Sequence, residues 1–257
     1  GRMNDMDKTK GELLQEELMM KPVNGTSRLS DEALDKAEDF SVGYKKFMDA
    51  AKIEIEAVKE AIALLEKNGY HPFERGKKYQ PGERFYYNNR GKSLIFGTMG
   101  KRPIEKGVKI LAAHVDSPRL DIKPSPLFEN CELGYLRPHY YGGIKKYQWP
   151  TIPLALHGDV YKKDGSVVSI TIGEDENDPI FCVTDLLPHL ATEQMTRKAT
   201  EVIKGEGLNI LIGSVPGETV DEKCSEKIKL AIMEHLNREY GMTEADFLSA
   251  ELCCVPA

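Results

Sequence analysis

Val108-Lys-Ile-Leu-Ala-Ala-His-Val-Asp-Ser-Pro118 decides the reading of this chain. Val108–Val115 is a short apolar run of the kind that forms a buried strand, covered on both faces. Residues two apart on a strand share a face, so His114 and Asp116 point the same way at its C-terminal end. Ligands of open α/β sheets bind beyond that end. A neutral imidazole beside a carboxylate suits metal ligation, because the carboxylate orients the ring. On spacing alone, an ion pair at a strand end explains the two residues as well.

Upstream, Ser93–Thr98 gives a second buried strand. Before it, Tyr44, Phe47, Met48, Ala51, Ile55, Val58, Ile62 and Leu65 recur in steps of three and four. They predict one long amphipathic helix from about Val42, stopped by Gly69. Ser30 caps a helical start with Asp31 and Glu32 in its first turn. Residues 1–30 are polar, carry the Asn24-Gly25-Thr26 turn, and read as an arm.

Downstream the pattern becomes more β. Leu120-Asp-Ile-Lys123 alternates and is expected to stop at Pro124 and Pro126. Ile152–Tyr161 and Ser166–Ile172 are strands joined at the Asp164-Gly165 turn, and Leu208–Gly213 is another. A helix returns over Asp221–Tyr240 with Gly241 as its stop. Thr243 and Asp246 form a capping box, and residues 251–257 are strand-like.

The chain has 257 residues, enough for one large domain or two smaller ones. Lys and Arg number 35 against 41 Asp and Glu, so the net charge of −6 argues against bulk nucleic-acid binding. Lys145-Lys146 beside Tyr147 and Trp149 is too short a basic cluster to change that, and reads as a solvated loop. No apolar run reaches the roughly 18 residues of a membrane span. The five scattered cysteines contain no CxxC and form neither a disulfide framework nor a Cys-type zinc module. With no apolar leader in the first twenty residues, a cytoplasmic protein is the expectation.

Of the remaining histidines, His71, His139, His157, His189 and His235, none forms a short metal motif with its neighbours. Each reads first as a structural or solvated histidine. Glu129 and Glu132 offer a paired-carboxylate glycosidase as a weaker alternative, with nothing to fix their separation.

His114-Val-Asp-Ser-Pro-Arg-Leu-Asp-Ile-Lys-Pro-Ser-Pro-Leu-Phe-Glu129 resembles the aspartyl aminopeptidase family of dinuclear zinc aminopeptidases. The likeness continues through Tyr141-Gly-Gly-Ile144, Trp149, Pro153-Leu-Ala-Leu-His-Gly158, Asp185-Leu-Leu-Pro-His-Leu-Ala191, Leu208–Gly213, Asp246–Glu251 and Val255-Pro-Ala257. It covers the chain from about residue 12. The resemblance implies an α/β zinc-peptidase domain, an α/β/α sandwich, interrupted by an inserted β-rich domain that mediates assembly. On this reading 1–124 is the N-terminal part of the peptidase domain, 125–250 the inserted dimerisation domain, and 251–257 the return.

The resemblance also implies that His114 is a zinc ligand and that Asp116 supports the catalytic metal site without being a primary ligand. Two zinc ions per complete site would polarise the scissile carbonyl and lower the pKa of a bridging water. The family's bridging Asp, Glu-Glu pair, further Asp and late His follow the inserted domain and have no match here. The expectation is therefore a metallo-aminopeptidase acting on peptide N-termini, acidic ones among the candidates. This chain would be its N-terminal half, inactive and weak in zinc binding by itself. The alternative is a non-catalytic assembly or binding module derived from such a peptidase. The family implies a homo-oligomer, with a dodecamer as the candidate, and a histidine reaching the neighbour's active site. His189 is the first choice for that role and His157 the second.

Overall fold

The structure is a computed structural model and describes residues 8–257. The first seven residues of the expected arm lie outside the described residues. The chain divides into two units, residues 1–49 and 50–257.

The first unit contains a helix that the arm reading lacks, α1 (Lys10–Leu18). Thr9 explains it: its hydroxyl accepts the Glu12 N–H at 3.2 Å, and the Glu12 carboxylate accepts the Thr9 N–H at 2.7 Å. Asn24 makes the expected turn, its side-chain oxygen accepting the Thr26 N–H at 3.1 Å. Ser30 caps α2 (Asp31–Ala50) by accepting the Ala33 N–H at 3.3 Å.

The expected single helix from Val42 is two helices. α2 ends at Ala50 and α3 spans Glu54–Lys67. Between them the β-branched Ile53 takes an extended backbone, and Glu56 Oε2 accepts the Lys52 N–H at 3.0 Å. The apolar stripe runs on across the break in the same register, so periodicity does not reveal it. Ile55, Ala57, Val58 and Leu65 of α3 are buried, whereas Tyr44 and Met48 of α2 are exposed. Gly69 follows α3 with φ 79°, as expected of a helix stop.

Among the described residues the strands form two sheets. The small one holds β1 (His71–Pro72), β2 (Arg84–Asn89) and β3 (Ser93–Thr98) in that order. β3 matches the expected limits but not the expected burial. It is an edge strand, and Ile95 and Phe96 are exposed. Val108–Val115 is not a strand. No neighbouring strand pairs with it among the described residues, and Leu111 is fully exposed. An apolar run becomes a buried strand only with partners on both sides.

The second sheet contains β4 (Arg119–Asn130), β5 (Leu133–Tyr141), β6 (Leu154–Tyr161), β7 (Val167–Ile172), β8 (Cys182–Val183), β9 (Ile210–Gly213) and β10 (Ala250–Pro256). Their order is β7-β6-β10-β4-β5-β9-β8. Pro124 and Pro126 do not end β4. They fall where its register against β5 shifts, between Ile122 and Leu127, so the missing N–H groups cost no regular ladder bond. Asp164-Gly165 turns β6 into β7, with Ser166 N–H donating to Asp164 Oδ1 at 2.9 Å. The boundary expected at 124/125 lies inside β4, and β10 is a central strand of the same sheet.

β10 buries both faces. Cys253 and Val255 meet Ile53 and Ile55, while Leu252 and Cys254 join the main core. That core also takes α6 (Lys227–Tyr240), the short helices α4 (Thr192–Met195) and α5 (Ala199–Val202) lying before it in the chain. Gly134 and Gly213 are register partners on adjacent strands, and Ile232 of α6 sits on the notch they leave. A Cβ at Gly134 would stand 2.3 Å from Ile232 Cδ1. Among the described residues no helix is long and apolar enough to cross a membrane.

Candidate metal centre

His114 and Asp116 come together, though not on a strand. They lie in the extended segment that leads into β4. His114 Nδ1 stands 2.9 Å from the Asp116 carbonyl oxygen and 3.2 Å from Asp116 Oδ1. Both neighbours are acceptors, so Nδ1 carries a proton, and in the neutral ring the lone pair is on Nε2. The His114 side chain is 82% exposed. Asp116 Oδ2 accepts a hydrogen bond from Tyr141 Oη at 2.8 Å. That bond, with the Asp116 N–H and the nearby imidazole, holds the Asp116 carboxyl below the usual carboxylate range. The Tyr141 hydroxyl is pushed up in return.

This donor set fits zinc as one ligand and its support. An imidazole whose far nitrogen is tied to a carboxylate presents the near one to a metal. Among the described residues no three His, Cys, Asp or Glu side chains gather as a metal-binding group. Cys253 and Cys254 are buried, and burial pushes both thiols up, away from the thiolate a metal needs.

The other histidines divide by environment. His157 lies on β6, its side chain 4% exposed. Its Nδ1 meets Glu56 Oε1 at 2.5 Å and its Nε2 meets Glu174 Oε1 at 2.7 Å. With both nitrogens facing carboxylates the ring is an imidazolium. Burial pulls its pKa down, but Glu56 and Glu174 outweigh that and raise it. His157 is thus committed to structure and has no nitrogen left for a substrate. His189 is exposed at a turn, where Leu190 N–H donates to the Leu187 carbonyl at 2.9 Å. Asp185 fixes the start of this loop by accepting the Leu186 N–H at 2.8 Å and a Gln194 Nε2 hydrogen at 3.1 Å. His71, His139 and His235 are exposed, and His71 sits in β1.

The paired-carboxylate alternative does not survive the geometry. Glu129 Oε2 accepts the N–H groups of Ile228 and Lys229 at 2.8 and 3.0 Å, capping α6, whose own N-cap Glu226 makes no side-chain bond. Glu132 is exposed in the β4–β5 turn, with φ 60° beside Cys131 at 51°. Trp149, beside the lysine pair read as a solvated loop, is buried in the core.

Residues 47–257 match the family described as aminopeptidase I zinc metalloprotease (M18). A probable M18 family aminopeptidase 1 of Clostridium acetobutylicum is 48% identical over 245 residues. The match takes in 94% of this chain and 52% of that protein. The crystal structure of an M18 aminopeptidase from Thermotoga maritima superposes with a TM-score of 0.83 at 38% identity. It covers 92% of this chain and 51% of its own. The S. cerevisiae mApe1 dodecamer structure shares the fold, with a TM-score of 0.59 at 22% identity, over 86% of this chain and 49% of its own. The chain thus spans about half the length of these relatives. A family match over most of the chain, carried by sequence and fold together, makes this protein a member of the M18 family of zinc metalloproteases.

Proposed function

We propose that this chain supplies the first zinc ligand of a metallo-aminopeptidase that hydrolyses N-terminal residues from peptides. His114 holds zinc through Nε2, and Asp116 orients the imidazole through Nδ1. The observation that carries this reading is the free Nε2 on a ring whose Nδ1 is taken by Asp116. Two zinc ions in the complete site would polarise the scissile carbonyl and activate a water. The remaining ligands and the base are not among the residues assigned here, so the chain by itself is expected to bind zinc weakly and to be inactive.

His114→Ala is expected to lower zinc affinity by at least about tenfold, read by competition with a zinc indicator. In a protein carrying the rest of the site it removes turnover. An affinity equal to that of the unsubstituted chain would sink the assignment.

We further propose that residues 1–124 belong to the peptidase domain, 125–250 to an inserted assembly domain and 251–257 to the return. The exposed apolar run Val108–Val115 supports the first part, because a peptidase layer would cover it. Exposed Leu186, Leu187, Leu190 and Met195 around His189 support an assembly surface there. In a homo-oligomer, a dodecamer like that of the yeast relative being the candidate, His189 would reach a neighbour's site and bind substrate. Five free cysteines support a reducing, cytoplasmic setting.

A further inference from the structure

The main core is not filled. A cavity of about 280 Å³ lies between α6 and the large sheet, whereas protein interiors hold few gaps larger than a water molecule. Ile232 seats α6 on the Gly134–Gly213 notch of β5 and β9. The gap opens beside that seat, over Leu156 of β6 and Ile170 and Ile172 of β7, with Met242 and Phe247 also in its wall. Those five side chains are buried, so the cavity reaches into the core. Pro179, Ser214, Val215 and His235 line it as well and are exposed, so it opens to solvent there. Ser214 and His235 supply the only polar side chains among its lining residues.

Size and lining chemistry select the occupant. An apolar cavity of about 150 Å³ stays dry and takes up benzene. On that scale a gap of about 280 Å³ holds roughly ten heavy atoms with an apolar body. The wall is chiefly Leu and Ile, which suits an alkyl chain. The mouth offers donors. Arg238 Nη2 donates to His235 Nδ1 at 3.0 Å, and a guanidinium cannot accept, so the His235 proton is on Nε2. The Ser214 hydroxyl is a second donor. Of the nearby acids, Glu239 holds Arg238 Nε at 2.9 Å and Glu234 accepts from the Thr219 hydroxyl. An ionised carboxylate only accepts, and has two oxygens for these two donors. We propose that the cavity binds a medium-chain alkyl carboxylate of about eight carbons, its chain in the core and its head at His235 and Ser214. The proposal is independent of the reading of His114 as a zinc ligand.

The test titrates sodium octanoate, sodium butyrate and indole into the 257-residue chain, reading the heat of binding and the thermal midpoint. Octanoate is expected to bind one-to-one and to raise the midpoint, because it binds only the folded chain. Butyrate, whose chain leaves most of the gap empty, is expected to bind at least about tenfold more weakly. Ala231→Leu extends a larger side chain from α6 into the cavity wall. It is expected to weaken octanoate by at least about tenfold while the midpoint without ligand is kept. If that variant fails to fold, Val215→Trp at the exposed mouth takes its place and is expected to give the same loss. His235→Ala is expected to weaken octanoate about fivefold through the lost donor. Absence of saturable octanoate binding overturns the proposal. So does octanoate affinity unchanged in a folded Ala231→Leu or Val215→Trp chain, which puts the ligand elsewhere. Tighter binding of indole than of octanoate overturns the alkyl class, and unchanged affinity in His235→Ala overturns the place of the head. Capture of the chain by phosphatidylcholine vesicles without octanoate binding assigns a membrane lipid instead, and overturns it too.

Discussion

Gly158→Ala is expected to prevent the large sheet from forming. Gly158 lies on β6, between its register partners Ile170 on β7 and Leu252 on β10. Its φ of 139° belongs to a region that residues with a Cβ rarely enter. Space forbids the substitution as well. A Cβ would stand 1.9 Å from the Glu251 carbonyl oxygen and 3.0 Å from Leu252 Cα. Those atoms are backbone of a central strand, so no side chain can swing away to make room. The cost of about 4 kcal/mol or more is comparable to the whole stability of many domains. Urea unfolding followed by circular dichroism checks it. A midpoint equal to that of the unsubstituted chain would show that β6 and β10 do not approach this closely.

His157→Ala is expected to destabilise the 50–257 unit by about 3 kcal/mol. The imidazolium joins Glu56 of α3 to Glu174, just beyond β7. Lys52 closes the group, with Nζ 2.6 Å from Glu174 Oε1 and 3.0 Å from the Pro256 carbonyl oxygen. Removing the ring leaves two partly buried carboxylates, of which only Glu174 keeps the Lys52 ammonium as a partner. The figure sits at the low end for a broken buried pair because the Glu174 side chain is 30% exposed.

The same cluster sets a pH dependence. The folded His157 pKa is raised from 6.5, so its contribution is full below pH 6.5 and is lost as pH rises through the folded value. Glu174 is buried, which raises its pKa, but Lys52 and His157 lower it below 4.5 overall. Its contribution is present above pH 4.5 and is lost as pH falls through the lowered value. Unfolding midpoints should therefore peak between these limits and decline toward alkaline pH. The decline should flatten in His157→Ala. A variant with the same alkaline slope would move the dependence elsewhere.

How much of this was readable from the residues depends on whether a local rule or a distant partner decides. Gly69, Asp164-Gly165 and the Thr243/Asp246 box act within a few residues, and each does what its chemistry prescribes. The Thr9/Glu12 box was equally local and was there to be read, but the polarity around it suggested an arm. The break at Ile53 leaves no mark in the period of the apolar stripe. Val108–Val115 has a strand's composition without a strand's neighbours, and composition cannot report a missing partner. In the candidate site, the His114/Asp116 pair is legible because the two lie only two positions apart. Tyr141 is not, because its bond to Asp116 depends on a register between strands 22 positions apart at Arg119 and Tyr141. Glu129 was misread for the same reason: its partners are the first N–H groups of a helix 99 residues away.

The central claim is that His114 binds zinc through Nε2 while Asp116 holds Nδ1. Titrating zinc into the chain labelled with ¹⁵N-histidine, and following both ring nitrogens of all six histidines, tests it most directly. The account predicts that His114 Nε2 shifts on zinc binding, that His114 Nδ1 stays protonated, and that the other five histidines hold their positions. A zinc-dependent shift at Nδ1 of His114, or at another histidine with His114 unmoved, would contradict it.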